Sequence, residues 1–310
     1  MNRRNFVQTF GTGALLTGVG ALPLRALAAE PEILRLTILH TNDVHSRIDP
    51  FPMDGSRNQG AGGAARRAAM IKRIRQEQKH VLLLDAGDIF QGTPYFNLYG
   101  GELELKLMSE MGYDAATIGN HDFDAGIDGL YKQLPNANFP LINGNYDFSN
   151  TVMNGKVIPY KIFKKDQIKI GVLGVGIELD GLVPKTLYKE TRYLDPIANA
   201  NKYAAILKKE EKCDYVICLS HLGYKYQDNT VSDIVLAKSS RDIDLIIGGH
   251  THTFLDEPIV ETNVEGSQVL INQVGWAGII LGRLDVFFER NRKGKCVSCQ
   301  NILVNKAQSK

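Results

Sequence analysis

The 310-residue sequence predicts a layered α/β fold whose strands are largely parallel. Three observations carry that prediction. Short apolar and β-branched runs alternate with segments of helical pattern and helical length, as in successive βα units. Some of the runs, such as Val81-Leu82-Leu83-Leu84, are apolar without alternation, as expected of a strand covered on both faces. Five short polar clusters each follow one of these runs, the position at which loops of such folds converge on a ligand.

The first 29 residues stand outside the fold. Met1-Asn2-Arg3-Arg4-Asn5-Phe6 is a basic start, Phe10 to Leu24 is Gly-rich and weakly apolar, and Ala26-Leu27-Ala28-Ala29 is a small-residue end. That is the plan of a secretory leader, too short and too polar for a membrane anchor. Arg3-Arg4 followed by Phe6 looks like the twin-arginine export signal of bacteria, with a chance arginine pair in an ordinary secretory signal as the alternative. A periplasmic or otherwise exported protein is expected, with no membrane span. Cleavage would leave 33 basic side chains against 34 acidic ones, which gives no basic surface for a nucleic-acid polymer.

The elements then follow in order along residues 30–310. Strands are expected at Ile33–Leu39, Val81–Leu84, Ala115–Ile118, Pro140–Ile142, Ile168–Val175, Tyr215–Leu219, Ile243–Ile247, Val269–Asn272 and Ile279–Phe288, where apolar and β-branched residues concentrate. Helices are expected between them at Gly63–Gln78, Glu102–Met111, Asp124–Leu134, Pro196–Lys209 and Ser232–Ser239. The polar break Lys164-Lys165-Asp166-Gln167 within Ile158–Val175 marks an antiparallel hairpin. With 44% apolar and 23% charged residues, no repeat and no low-complexity segment, one domain accounts for the sequence.

Four cysteines allow three disulfide pairings in an oxidising compartment. Cys296-Val297-Ser298-Cys299 has the spacing of a redox pair or half a zinc site. It falls in a polar tail without a second such pair, so a local disulfide or free thiols is the plainer reading. Cys213 and Cys218 flank a buried strand and read as small apolar residues.

The five polar clusters are Asp43-Val44-His45, Gly87-Asp88, Asn120-His121, His221 and His250-Thr251-His252. Singly, each has an ordinary explanation: a turn, a helix cap, a core imidazole. Jointly they gather five of the seven histidines at predicted strand ends, among glycines that allow close backbone approach. Two aspartates, one amide and four histidines suit two adjacent divalent ions, and His121 is left over for chemistry. Mixed nitrogen and oxygen donors suit Zn, Mn, Fe or Co better than Ca or Mg.

D-x-H, G-D, G-N-H-D, a strand-end H and G-G-H-T-H, in this order from about Leu36 to Leu284, resemble the calcineurin-like metallophosphoesterase superfamily. Asp85-Ala86-Gly87-Asp88-Ile89-Phe90-Gln91-Gly92-Thr93-Pro94 and Gly119-Asn120-His121-Asp122-Phe123-Asp124 are similar to its bacterial 5′-nucleotidase branch. The resemblance implies a four-layer α/β/β/α sandwich of two mixed sheets, with a dimetal site at the strand carboxyl ends. It implies that Asp43, His45, Asp88 and His252 hold one ion, and that Asp88 bridges to a second held by Asn120, His221 and His250. It further implies in-line hydrolysis of a phosphate ester by a metal-bridging hydroxide, the substrate being a small phosphorylated compound such as a nucleotide. His121 would stabilise the phosphoryl charge and help protonate the leaving group, its ring held by Asp124. Full-length members of the branch carry a second, carboxy-terminal domain that reads the nucleotide, and the sequence to Lys310 has no counterpart of it. A stand-alone phosphatase and the catalytic half of a split enzyme with a separate specificity polypeptide are both compatible with that. A non-catalytic metal-binding scaffold is the reading from another class; loss of a ligand or of the His121–Asp124 pair would favour it, and none is lost.

Overall fold

Alternate side chains of the first strand already divide the protein into layers: Leu36 and Ile38 lie in one apolar cluster and Leu39 in another. The computed structural model describes residues 33–228, 230–289 and 295–305, so the leader read at 1–29 lies outside the described residues. The strands in chain order are β1 (Ile33–Thr41), β2 (Val81–Asp85), β3 (Ala115–Ala116), β4 (Tyr146–Asp147), β5 (Tyr160–Lys165), β6 (Ile168–Gly176) and β7 (Arg192–Tyr193). They continue with β8 (Tyr215–His221), β9 (Leu245–Gly248), β10 (Ile259–Thr262), β11 (Gln268–Asn272), β12 (Ile280–Glu289), β13 (Lys295–Cys299) and β14 (Ile302–Leu303). The helices are α1 (Ala64–Glu77), α2 (Pro94–Tyr99), α3 (Glu102–Met111), α4 (Gly126–Gln133), α5 (Lys185–Tyr188), α6 (Pro196–Ala205) and α7 (Asp233–Ser239).

Two six-stranded sheets result. The first has the order β13-β12-β1-β2-β3, with β14 also on β12; the second has the order β10-β11-β9-β8-β6-β5. β1, β2 and β3 are parallel to one another, as are β11, β9, β8 and β6, while β12, β5 and β10 run antiparallel to their neighbours. Both sheets are therefore mixed. The hairpin expected around Lys164–Gln167 is the β5–β6 pair, with Lys165 opposite Ile168.

The period of two along each strand sends residues to opposite faces. Leu36, Ile38, Leu82 and Leu84 of the first sheet join Ile170, Val172, Ile217, Leu219 and Ile247 of the second in one buried cluster between the sheets. Leu39 and Leu83 point the other way, into a cluster with Ile71 and Ile74 of α1, Leu105 and Met108 of α3, and Ile127 of α4. On the far side Val216, Cys218 and Ile246 meet Ala200 and Ala204 of α6 and Leu236 of α7. Helix, sheet, sheet, helix is the four-layer sandwich. Each of these fully buried Leu or Ile side chains contributes roughly 1.5–3 kcal/mol of burial.

Sequence signals set the helix limits. Residues 64, 67, 71 and 74 form the buried face of α1, the spacing of one helical stripe. Gly112, with φ 72°, ends α3 in the left-handed cap favoured by glycine. Asp195 caps α6 by accepting from Ala198 N at 3.0 Å, ahead of Pro196.

Four local expectations are corrected. Pro140–Ile142 makes only isolated bridges, Leu141 with Ala116 and Ile142 with Ile158. The helix expected to run to Lys209 is α-helical to Ala205 and continues as a π-turn over Ile206–Glu210. The helix expected from Asp124 is a 3₁₀ turn, His121–Phe123, followed by α4 from Gly126, whose φ of 73° interrupts the helical path. The Cys296–Cys299 segment is strand β13, made by pairing with the edge of β12 rather than by its own polar composition. Cys213, Cys218 and Cys299 carry free thiols.

Candidate metal centre

All five polar clusters sit where parallel strands end. Asp43 and His45 follow β1, Asp88 follows β2, Asn120 follows β3, His221 closes β8, and His250 and His252 follow β9. β1, β2 and β3 are neighbours in one sheet, β8 and β9 in the other, so the loops face each other across the seam between sheets. Hydrogen bonds cross that seam: the His250 backbone N–H donates to both Asp43 carboxylate oxygens at 3.0 Å, and His221 Nδ1 donates to the Ala86 carbonyl at 2.7 Å.

The side chains form two groups, Asp43 with His45 and His252, and Asp88 with His221 and His250; within each group one ligand atom per residue lies within 4.8 Å of the others. Asp88 Oδ2 stands between the groups, 3.1 Å from His221 Nε2 and 3.7 Å from His45 Nε2. His45 Nε2 and His252 Nε2 approach to 2.9 Å, and His250 Nδ1 and Asn120 Oδ1 to 2.8 Å. The seven residues named from the sequence are thus together.

A comparison with protein families matches residues 36–254 to the calcineurin-like phosphoesterase model. The chain belongs to the calcineurin-like phosphoesterase family. Within it the sequence is 35% identical over 316 residues to a snake venom 5′-nucleotidase of Gloydius brevicauda, covering 94% of this chain and 52% of that protein. It is likewise 35% identical over 302 residues to the 5′-nucleotidase of Bos taurus, covering 87% and 49%. Among solved structures, the 5′-nucleotidase precursor from Thermus thermophilus aligns with a TM-score of 0.78 at 32% identity, over 88% of this chain and 55% of that one. The chain spans about half the length of the curated relatives it matches.

In this calcineurin-like phosphoesterase the donor chemistry fits a pair of divalent ions. His221 is buried, and its Nδ1–H is committed to the Ala86 carbonyl, so Nε2 faces Asp88 Oδ2 at 3.1 Å. His45 Nδ1 lies 3.3 Å from the Phe90 carbonyl, which likewise leaves Nε2 to face the other donors. Lone pairs that converge in this way repel unless a proton or a cation stands between them. Carbonyls that fix the tautomer of a ligating histidine from behind are the usual arrangement. Desolvation by burial lowers the pKa of His45 and, with the His221 charge, lowers that of His250 to about 4, so both rings present a free nitrogen at neutral pH. For the His221–Asp88 pair, burial works against both charges, but each charge overrides it for the other: the imidazole rises to about 10 and the carboxyl is held well below the usual range.

The convergence strains the backbone of these loops. Asp43, His45, Asp88, His250 and His252 all have φ between 49° and 72°. A left-handed non-glycine residue costs on the order of 1–3 kcal/mol and persists only where its surroundings over-determine it. Close approach is enforced at Gly119, where a Cβ would stand 2.2 Å from Asp88 Oδ1.

Two supports escaped the sequence reading. Buried Asp122 accepts from the backbone N–H groups of Asp88, Ile89, Phe90 and Gly119, at 3.2, 2.9, 3.2 and 2.8 Å. One carboxylate thereby ties the Asp88 loop to the Asn120 loop. Burial and then the Asp88 charge push its carboxyl up to about 7, but four N–H donors occupy its lone pairs, so the ionised form is the one that fits. Asn42 donates to Asp43 Oδ2 and to the Gly275 carbonyl, both at 2.6 Å, and accepts from Val274 N at 3.0 Å. Its position immediately before Asp43 was the available signal.

The His121 ring meets the His45 ring edge-on, centroids 5.2 Å apart; its side chain is 40% exposed, and Nδ1 lies 2.9 Å from Asp124 Oδ2. That hydrogen bond, above all, raises the imidazole pKa, against partial burial. The His121 backbone N–H donates to Asp88 Oδ1 at 2.8 Å, so the residue that carries this ring also holds the Asp88 carboxylate.

Proposed function

We propose that this calcineurin-like phosphoesterase hydrolyses phosphate monoesters of nucleotides, in the manner of a 5′-nucleotidase. The observation that carries the reading is the joint presence of two groups of potential ligands, with Asp88 Oδ2 of one group 3.7 Å from His45 Nε2 of the other, and, beside them, an imidazole held by a carboxylate. Asp43, His45, Asp88 and His252 would hold one ion, and Asp88, Asn120, His221 and His250 the other. Two divalent ions, when bound, supply Lewis-acid neutralisation of the phosphoryl charge and a nucleophilic water near neutral pH.

The chain's own residues supply the rest. Asp124 accepts from His121 Nδ1–H and fixes the ring, so Nε2–H of the imidazolium is oriented for a phosphoryl oxygen or the leaving oxygen. Such acid assistance is worth about 10²–10⁴-fold in rate. The carbonyls of Ala86 and Phe90 set the His221 and His45 tautomers. Asp122 and Asn42 hold the loops so that no ligand is repositioned during turnover.

The similarity to 5′-nucleotidases directs the substrate reading to nucleoside monophosphates. We further read residues 1–29 as a twin-arginine leader and the protein as periplasmic; no helix among the described residues is long and apolar enough to cross a membrane. Replacing Arg3 and Arg4 by lysine should hold the protein in the cytoplasm, and unchanged export would remove that reading.

The deciding experiment is phosphate release by the metal-loaded chain from nucleoside monophosphates, cyclic nucleotides, UDP-sugars and simple phosphomonoesters. Preference for monophosphates of nucleosides is the expected result. No release above a metal-only control from any of them would overturn the hydrolase reading. Release from nucleotides only after addition of a separate specificity-domain polypeptide would instead favour a split enzyme.

A further inference from the structure

We propose that Trp276 is the positioning residue of His252, its indole face doing for this candidate ligand what a backbone carbonyl does for His45 and His221. The inference rests on reading Asp43, His45, Asp88 and His252 as the ligands of one ion.

The histidines differ in how they are held. His221 is fully enclosed and its Nδ1 is tied to the Ala86 carbonyl at 2.7 Å. The His45 side chain is 9% exposed, with Nδ1 facing the Phe90 carbonyl. The His252 side chain is 40% exposed, and among the described residues no group hydrogen-bonds to its Nδ1. Its Nε2 faces His45 Nε2 at 2.9 Å and Asp43 Oδ1 at 3.4 Å, but no carbonyl among the described residues stands behind the ring. What stands against its face is Trp276: the two ring planes lie 8° apart with centroids at 5.7 Å. The His252 ring also meets His45 edge-on at 4.9 Å.

The indole is itself fixed from behind. Phe51 meets it edge-on at 5.7 Å, and the Arg47 guanidinium lies 4.3 Å from the Phe51 ring. Its backbone is bound to the loop that carries Asp43: Ala277 N–H donates to the Asp43 carbonyl at 2.7 Å, and Asn42 Nδ2 donates to the Gly275 carbonyl at 2.6 Å. Asp43 and the platform under His252 are therefore parts of one rigid unit. An aromatic face sets the ring plane without claiming either nitrogen. Offset stacking adds about 0.5–1.5 kcal/mol beyond burial, enough to bias a surface side chain toward one orientation. Outer partners of metal ligands typically account for about 10–100-fold in metal affinity.

Trp276 is also the only tryptophan in the chain, so its emission reports on this ligand alone. The test uses the full chain stripped with chelator and titrated with Mn²⁺, reading bound metal, tryptophan emission, and kcat and KM at saturating metal. The expected results are quenching of wild-type emission in step with one of the two bound ions, and about a 10–100-fold rise in the free Mn²⁺ needed for that ion in Trp276→Ala. Trp276→Phe, which keeps an aromatic face, should stay within about threefold of wild type. KM for the substrate at saturating Mn²⁺ should be unchanged in both variants. An unaltered Mn²⁺ dependence in Trp276→Ala overturns the proposal. So do equal weakening of both ions, and a raised KM with normal metal binding, which would make Trp276 a substrate contact. If Trp276→Ala fails to fold, the wild-type emission titration and Trp276→Phe decide, and emission insensitive to bound Mn²⁺ overturns it. Wild-type protein that binds no Mn²⁺ would instead refute the ligand reading beneath it.

Discussion

Asp122→Asn is the sharpest test of how the centre is held. The substitution preserves shape and removes one acceptor. Asp122 Oδ1 accepts from Ile89 and Phe90, and Oδ2 from Asp88 and Gly119. Whichever way the asparagine amide turns, its NH₂ group faces two backbone N–H donors at a buried position. Each buried donor left unsatisfied costs about 1–3 kcal/mol, so the two together cost about 2–6 kcal/mol. That is a large part of the roughly 5–15 kcal/mol by which domains are stable. For a chain of this size 1 kcal/mol shifts the melting temperature by about 2 °C, so it should fall by about 4–12 °C. Because the released groups belong to the loops of Asp88 and Asn120, bound metal should drop below two per chain as well. Calorimetry on the metal-free protein and metal analysis on the loaded one measure the two effects separately. A melting temperature within about 2 °C of wild type, with full metal content, would refute the view that this carboxylate ties the loops.

Other outcomes follow from the same geometry. His121→Ala should lose about 10²–10⁴-fold in turnover while keeping two ions, because the backbone N–H that holds Asp88 survives the change; near-normal turnover would remove His121 from the chemistry. Asp88→Ala should fail to retain metal on dialysis, since the carboxylate oxygen that faces both His221 and His45 is gone. His40 gives a pH signature away from the site: burial lowers its pKa from 6.5 to about 3, and Nε2 accepts from Asn272 at 2.9 Å. With the folded pKa below the unfolded one, its stabilising contribution is complete above pH 6.5 and is lost as pH falls toward 3. His40→Gln should therefore flatten the acid limb of denaturant stability by a few kcal/mol at most, and an identical pH profile would count against a neutral buried His40.

The convergence of the candidate ligands was legible because each is a polar residue set abruptly after an apolar strand, and loops at the carboxyl ends of parallel strands come together. The layers were legible through runs such as Val81–Leu84, whose two faces are both apolar. Asp122 was quoted within its motif yet its role was hidden, because its partners are backbone N–H groups, which every non-proline residue has. Trp276 was hidden differently: the contact with His252 depends on where the loop after β11 returns, and neither residue's immediate neighbours indicate it. Strand β13 could not be read because its pairing comes from an open edge of β12 rather than from its own side chains.

Candidate ligands drawn from both sheets have a consequence for the order of events in folding. His45 and His252, and Asp43 and His250, are 207 residues apart in sequence and adjacent only once the sheets have docked. A cation meeting the unfolded chain finds no local cluster to organise, unlike a short metal-nucleated module. Contacts of such long range form late, after the loops between them have been closed. On the proposed ligand set, the two-sheet core has to form before the two groups meet, and metal capture would then report that assembly is finished.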